Sequence, residues 1–172
     1  DLENSRGLAL AENGHVDQAL VAFKKALEYK KQLNAEQAVI YANIAFNYFQ
    51  LNQLDLSLEY ANSALEYAQI ESNRYVEVLT KTLFGRIAKS QAQHQHAVDW
   101  FLKSLELAKE ENVRDYIFAN YADSIYPLLH LGRINQALEH LEQAKRIAEQ
   151  EQLNSNSYLL ELEAVIKHHQ KD

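Results

Sequence analysis

Seven histidines are the side chains of this sequence best suited to holding a metal ion or moving protons near neutral pH. Their spacing does not favour either use. His94 and His96 stand two residues apart, and His168 and His169 are adjacent. Two imidazoles on a helix grip one ion when they share a face four residues apart, so these pairs are expected to be solvated turn and terminal residues. The chain has no cysteine, which removes disulfides, thiol nucleophiles and cysteine-ligated zinc together. Serines are present, but no G-x-S-x-G elbow exposes one as a nucleophile. Glycine occurs only at positions 7, 14, 85 and 132, which allows neither G-x-G-x-x-G nor a phosphate-cradling loop. Acidic groups such as Glu110 with Glu111 and Glu149 with Glu151 lack the spacing of a calcium loop. The expectation is no metal, no cofactor, no catalytic residue and no enzyme.

Composition narrows the partners. The 172 residues carry 17 Lys and Arg against 24 Asp and Glu, a net charge of −7. An acidic chain without a basic stripe is a poor match for a phosphate backbone, so no nucleic acid is expected. No run of about 18 apolar residues is present to cross a bilayer, and the start DLENSRG lacks the basic and apolar regions of a signal peptide. No direct membrane insertion is expected. The expected compartment is the cytoplasm, or the periplasm if the chain is excised from a larger sensor, as the absence of an initiator Met suggests. Only 5 of 172 residues are Gly or Pro, too few for the turns of a sheet-rich fold, and the length fits a single domain over 1–172.

The elements that must position any site are set by a repeat. GHVDQALVAFKKALEYK from Gly14, NQLDLSLEYANSALEYA from Asn52, AQHQHAVDWFLKSLELA from Ala92 and GRINQALEHLEQAKRIA from Gly132 align without gaps. Small and apolar residues recur in them at helical spacing, as in Ala19, Leu20, Phe23, Ala26 and Leu27. A second helical pattern precedes each, for example Tyr41, Ile44, Ala45 and Tyr48, and a short turn such as Asn13-Gly14, Leu51-Asn52 or Leu131-Gly132 joins the two. The unit is an antiparallel helix pair with a period near 40. Polar segments between units, such as QIESNRY and EENVRD, hold Asn and Ser suited to helix ends and caps. Helix pairs are expected over about 1–32, 36–70, 75–110 and 115–150, with a terminal helix over 155–170 that is either a cap or the first helix of a fifth unit. Pro127 is expected to kink the helix that contains it.

This pattern resembles the tetratricopeptide repeat (TPR) family, in the long-repeat variety of bacterial signalling and regulatory proteins. Gly7, Ala45 and Gly85 match the family's small residue in the first helix, with Ile125 departing. The second-helix triplet is matched by Ala19, Phe23, Ala26 and by Ala137, Leu141, Ala144, nearly by Ala97, Phe101, Ser104, and poorly by Ser57, Ala61, Ala64. The resemblance implies an all-α, right-handed α-solenoid of antiparallel helix pairs, about four repeats plus a terminal helix. It further implies a non-catalytic scaffold that binds a protein or peptide segment in a groove lined by first helices, as the sensory or docking part of a larger protein.

The groove-facing positions implied by that resemblance include Phe46, Phe49 and Gln50 in the second unit, Thr82, Arg86 and Lys89 in the third, and Tyr126 and His130 in the fourth. Asn43 matches one position of the clamp that some family members use on acidic chaperone tails. Asn4, Leu8, Leu79 and Leu83 stand where the other four clamp residues would be, so the clamp itself is not expected. Arg86 and Lys89 are helical neighbours in an acidic protein and favour an anionic group, which gives an expected partner segment with acidic and apolar residues. Two alternatives stay open. The aromatic residues also suit inter-repeat packing or self-association into a homo-oligomer with no groove ligand, and the two cations also suit salt bridges to neighbouring acids.

Overall fold

The computed structural model describes residues 2–170; Asp1, Lys171 and Asp172, at the ends of the expected 1–172 domain, lie outside it. The described residues form nine α-helices and no strand: α1 (Leu2–Glu12), α2 (Val16–Gln32), α3 (Ala38–Gln50), α4 (Leu54–Ile70), α5 (Arg74–Ser90), α6 (His94–Glu110), α7 (Arg114–His130), α8 (Ile134–Gln150) and α9 (Asn156–His169). The all-α expectation holds. α7 runs unbroken through Pro127, which stands in its last turn.

The helices end by a common device. Each of the eight connections contains one residue in the left-handed region: Gly14, Asn34, Asn52, Ser72, Ala92, Asn112, Gly132 and Gln152, with φ between 49° and 78°. The N–H that follows reaches back five residues to a helix carbonyl, as from Gln53 to Tyr48 O and from Gln93 to Ala88 O, both 2.9 Å. This is the Schellman arrangement, which satisfies carbonyls the helix leaves open. Only two of the eight positions are glycine. The Asn and Ser of the polar segments serve mainly here, at C-termini, rather than as the N-caps their composition suggests. Asn73 is an exception, its Oδ1 accepting the Val76 N–H at 3.2 Å. α3 is capped from elsewhere in the chain: the Glu71 carboxylate, at the end of α4, accepts the N–H groups of Gln37 at 2.6 Å and Ala38 at 3.1 Å.

The chain divides within α5 into two compact units, one ending at Leu83 and the other beginning at Phe84. In the first, Phe23, Leu27, Ile40, Tyr41, Ile44 and Tyr48 are core residues, and Tyr41 stacks on Tyr67 with centroids 5.1 Å apart. In the second, Val98, Leu105, Ile125, Leu128, Leu141, Leu162 and Ile166 form the core. One contact recurs in both. A Cβ on Gly7 would lie 2.5 Å from the Phe23 ring, and a Cβ on Gly85 would lie 2.5 Å from Phe101. The small residue of the first helix is therefore required by a large ring on its partner. In the second repeat the same positions are Ala45 and Ala61, and buried Ser57 donates its hydroxyl to Ala45 O at 2.8 Å, which accounts for the poor match of Ser57, Ala61, Ala64 to the family triplet.

Candidate functional site

In the first unit the candidate residues lie on α1 and α3. A pocket of about 220 Å³ is lined by Leu8, Ala11, Glu12, Phe23, Asn43, Phe46, Asn47 and Gln50. It brings together three residues expected from the sequence, Asn43, Phe46 and Gln50. Leu8 (42% exposed), Val39 (41%) and Phe46 (38%) present apolar surface on these first helices, while Phe49 is half-buried. Asn43 donates to Asn4 Oδ1 at 3.1 Å, linking α3 to α1. Asn47 was not expected from the sequence as a site residue. It is 2% exposed, its Nδ2 donates to Asn43 O at 2.8 Å, and its Oδ1 has no donor.

In the second unit the candidates lie on α5 and α7, with α9 beside them. Arg86 Nε donates to Asp123 Oδ2 at 2.7 Å and Lys89 Nζ to Asp123 Oδ1 at 2.9 Å. The two cations thus share one carboxylate, leaving a single positive charge in excess. Tyr126 donates to Glu161 at 3.4 Å, and burial raises its phenol above the ordinary value. Burial, reinforced by the Asp123 carboxylate, pushes the Tyr158 phenol up to about 12. The result is a patch in which acids and cations already answer one another. Asp123, Tyr158 and Glu161 escaped the sequence reading. For Asp123 a signal was present, because an acid one repeat beyond a cation on equivalent helices is placed to meet it.

Thr82 and His130 are placed differently. Thr82 is buried, and its hydroxyl donates back to Val78 O at 3.2 Å. His130 is exposed at the end of α7, where its ring stacks on His94 with centroids 4.3 Å apart and 9° between planes. His94 is accordingly half-buried at the start of α6 rather than a solvated turn residue. Parallel imidazole faces do not aim nitrogens at a common ion, and no cluster that could hold a metal occurs among the described residues. Ser124 and His140 form a close pair, Oγ to Nδ1 2.6 Å, but Ser124 is fully buried and also donates to Tyr121 O at 2.8 Å. A nucleophile needs access to its substrate, and this hydroxyl has none.

Neither protein-family models nor curated proteins give a match to the sequence. Solved structures do match. The apo form of RapI superposes with a TM-score of 0.86 at 21% identity, over 99% of this chain and 63% of that one. Aspartyl phosphate phosphatase F from Bacillus subtilis gives 0.85 at 18% identity, over 94% and 42%. TPR-like repeats of a Podosopora anserina kinesin light chain give 0.67 at 13%, over 96% and 93%. The chain therefore has the TPR-like fold, and it spans 63% of RapI and 42% of the phosphatase.

Proposed function

We propose that the chain is a non-catalytic interaction scaffold whose first helices bind a peptide or protein segment, as a docking part of a larger signalling protein. The observation that carries this reading is the first-helix surface of the first unit, where Leu8, Val39 and Phe46 expose apolar area beside the carboxamides of Asn43 and Gln50. Apolar area supplies affinity, and carboxamides can pair with an extended main chain, which carries both donors and acceptors. The excess charge at Arg86, Lys89 and Asp123 supports an acidic residue in a segment that meets the second unit. RapI and the phosphatase support the fold and not an activity, since each is longer than this chain. No helix among the described residues is long and apolar enough to cross a membrane.

Panning a displayed random peptide library against the whole chain, followed by calorimetry on the selected peptides, tests the proposal. Phe46→Ala is expected to weaken a selected peptide by roughly thirtyfold, as loss of an interface hot spot does, with the melting temperature held. A library that yields no binder, or a concentration-dependent dimer in light scattering that Phe46→Ala abolishes, would replace this reading with self-association.

A further inference from the structure

The pocket between α1 and α3 has a chemical bias that its apolar walls do not require. Asn47 occupies the repeat position held by Ala9, Ile87 and Pro127 in the other units, so helix packing does not demand a polar residue there. Ile87 is 2% exposed in the same role. Yet Asn47 is buried with its carboxamide oxygen unanswered, a condition that costs free energy unless a donor arrives. One other group of the lining, the Glu12 carboxylate, points the same way. Glu12 is exposed, and it pairs with no cation among the described residues. Among the described residues no Lys or Arg lines the pocket. Lys25 on α2 is held by Glu3 at 2.8 Å, and Lys24 lies over the Tyr48 ring at 5.3 Å.

We infer that this pocket receives a basic side chain from the bound segment, with its cationic N–H donating to Asn47 Oδ1. The inference rests on the proposed binding role of the first-helix surface and names the residue type read there. Leu8 and Ala11 accept the aliphatic stem, the Phe46 ring favours a cation over its face, and Glu12 adds attraction at the rim. An anion finds no donor of opposite charge in this lining. A neutral amide would satisfy Asn47 but would leave Glu12 and the Phe46 face unused.

The test is an NMR titration of the isotope-labelled whole chain with N-acetyl, N-methylamide derivatives of lysine, glutamine and norleucine at matched ionic strength. The lysine probe is expected to shift the Asn47 side-chain amide and the Phe46 ring, and to bind about threefold to tenfold tighter than glutamine. Glu12→Gln, a change at an exposed residue, should reduce that preference, and Asn47→Leu should abolish the shifts with the helical signal retained. Equal binding of norleucine would make the pocket merely apolar, equal binding of glutamine would make the donor neutral, and no shift with any probe would mean no side-chain site. Each of those results overturns the inference. A selected peptide that binds this surface without Lys or Arg would overturn it too while leaving the scaffold proposal standing. A library without binders removes the scaffold proposal and leaves the lysine titration to decide the pocket.

Discussion

Asn43 and Asp123 hold the same position of the repeat, two units apart, and their surroundings have diverged. Asp123 is bound by two cations from α5, and Tyr126 nearby on α7 reaches Glu161 on α9. The polar groups of that surface have been used to tie neighbouring first helices together. Around Asn43 a single amide link to Asn4 does this job, and one turn further along α3 the Asn47 Oδ1 has no donor. Because one backbone plan carries both surfaces, the difference lies in side-chain choice alone. Polar groups can stabilise a stack of helices or remain available to a partner, and the two units divide these uses.

The largest expected effect is one in which the units agree. Phe23→Ala and Phe101→Ala each empty the same ring site against a glycine, and each should cost about 3–5 kcal/mol in denaturant unfolding. Markedly unequal losses would show that the equivalence of the two packings is only geometric. The units should then part in sign. Asp123→Asn leaves Arg86 and Lys89 without the carboxylate they share and should destabilise by about 1–2 kcal/mol, discounted because both cations are partly exposed. Asn47→Leu removes an unsatisfied buried oxygen and should stabilise by about 1 kcal/mol. If both variants lose stability alike, the contrast between tied and open surfaces fails.

A smaller gain is expected at Ala92, held at φ 56°. Ala92→Gly should add at most about 1 kcal/mol by relieving the left-handed strain of a residue with a Cβ, whereas the same conformation at Gly132 is already free of it. The smallest effect is a slope with pH. Burial lowers the His140 pKa below the ordinary histidine value of about 6.5, so between the folded and unfolded values the unfolded chain binds more protons. Stability should therefore be full above about pH 6.5 and fall as the pH drops through that window. His140→Gln should flatten the slope, and an unchanged slope would place the acid sensitivity elsewhere.

The repeat, the pairing of helices and the all-α class were legible because small and apolar residues recur at helical spacing in four aligned segments. The turns were less so. Left-handed residues fall at 14, 34, 52, 72, 92, 112, 132 and 152, nearly every twenty residues, but Ala92 and Gln152 carry no compositional mark of a turn, since the Schellman bonds are made by backbone alone. Of the site, Phe46 and Gln50 follow as groove positions that the family resemblance implies, and Asn43 as a match to one clamp position. Asn47 could not be reached this way, because its significance lies in an oxygen that lacks a partner, and sequence spacing does not reveal which hydrogen bonds stay unmade. Arg86 and Lys89 were visible as cations, but their sharing of Asp123 required looking one repeat ahead. Thr82 looked accessible by position and is buried, its hydroxyl bonded within α5 to Val78 O.

The short connections also matter for how the chain is made. Six of the eight joints between helices are three residues long, and each closes on its own backbone bonds without waiting for distant sequence. A nascent chain can therefore fold α2 back onto α1 as soon as both helices are free, and later helices can add to a stripe already half covered. Little apolar surface stands exposed for long during synthesis, and such low-contact-order folding is fast. The economy of the turns thus protects the protein from aggregation at the moment when it is least complete.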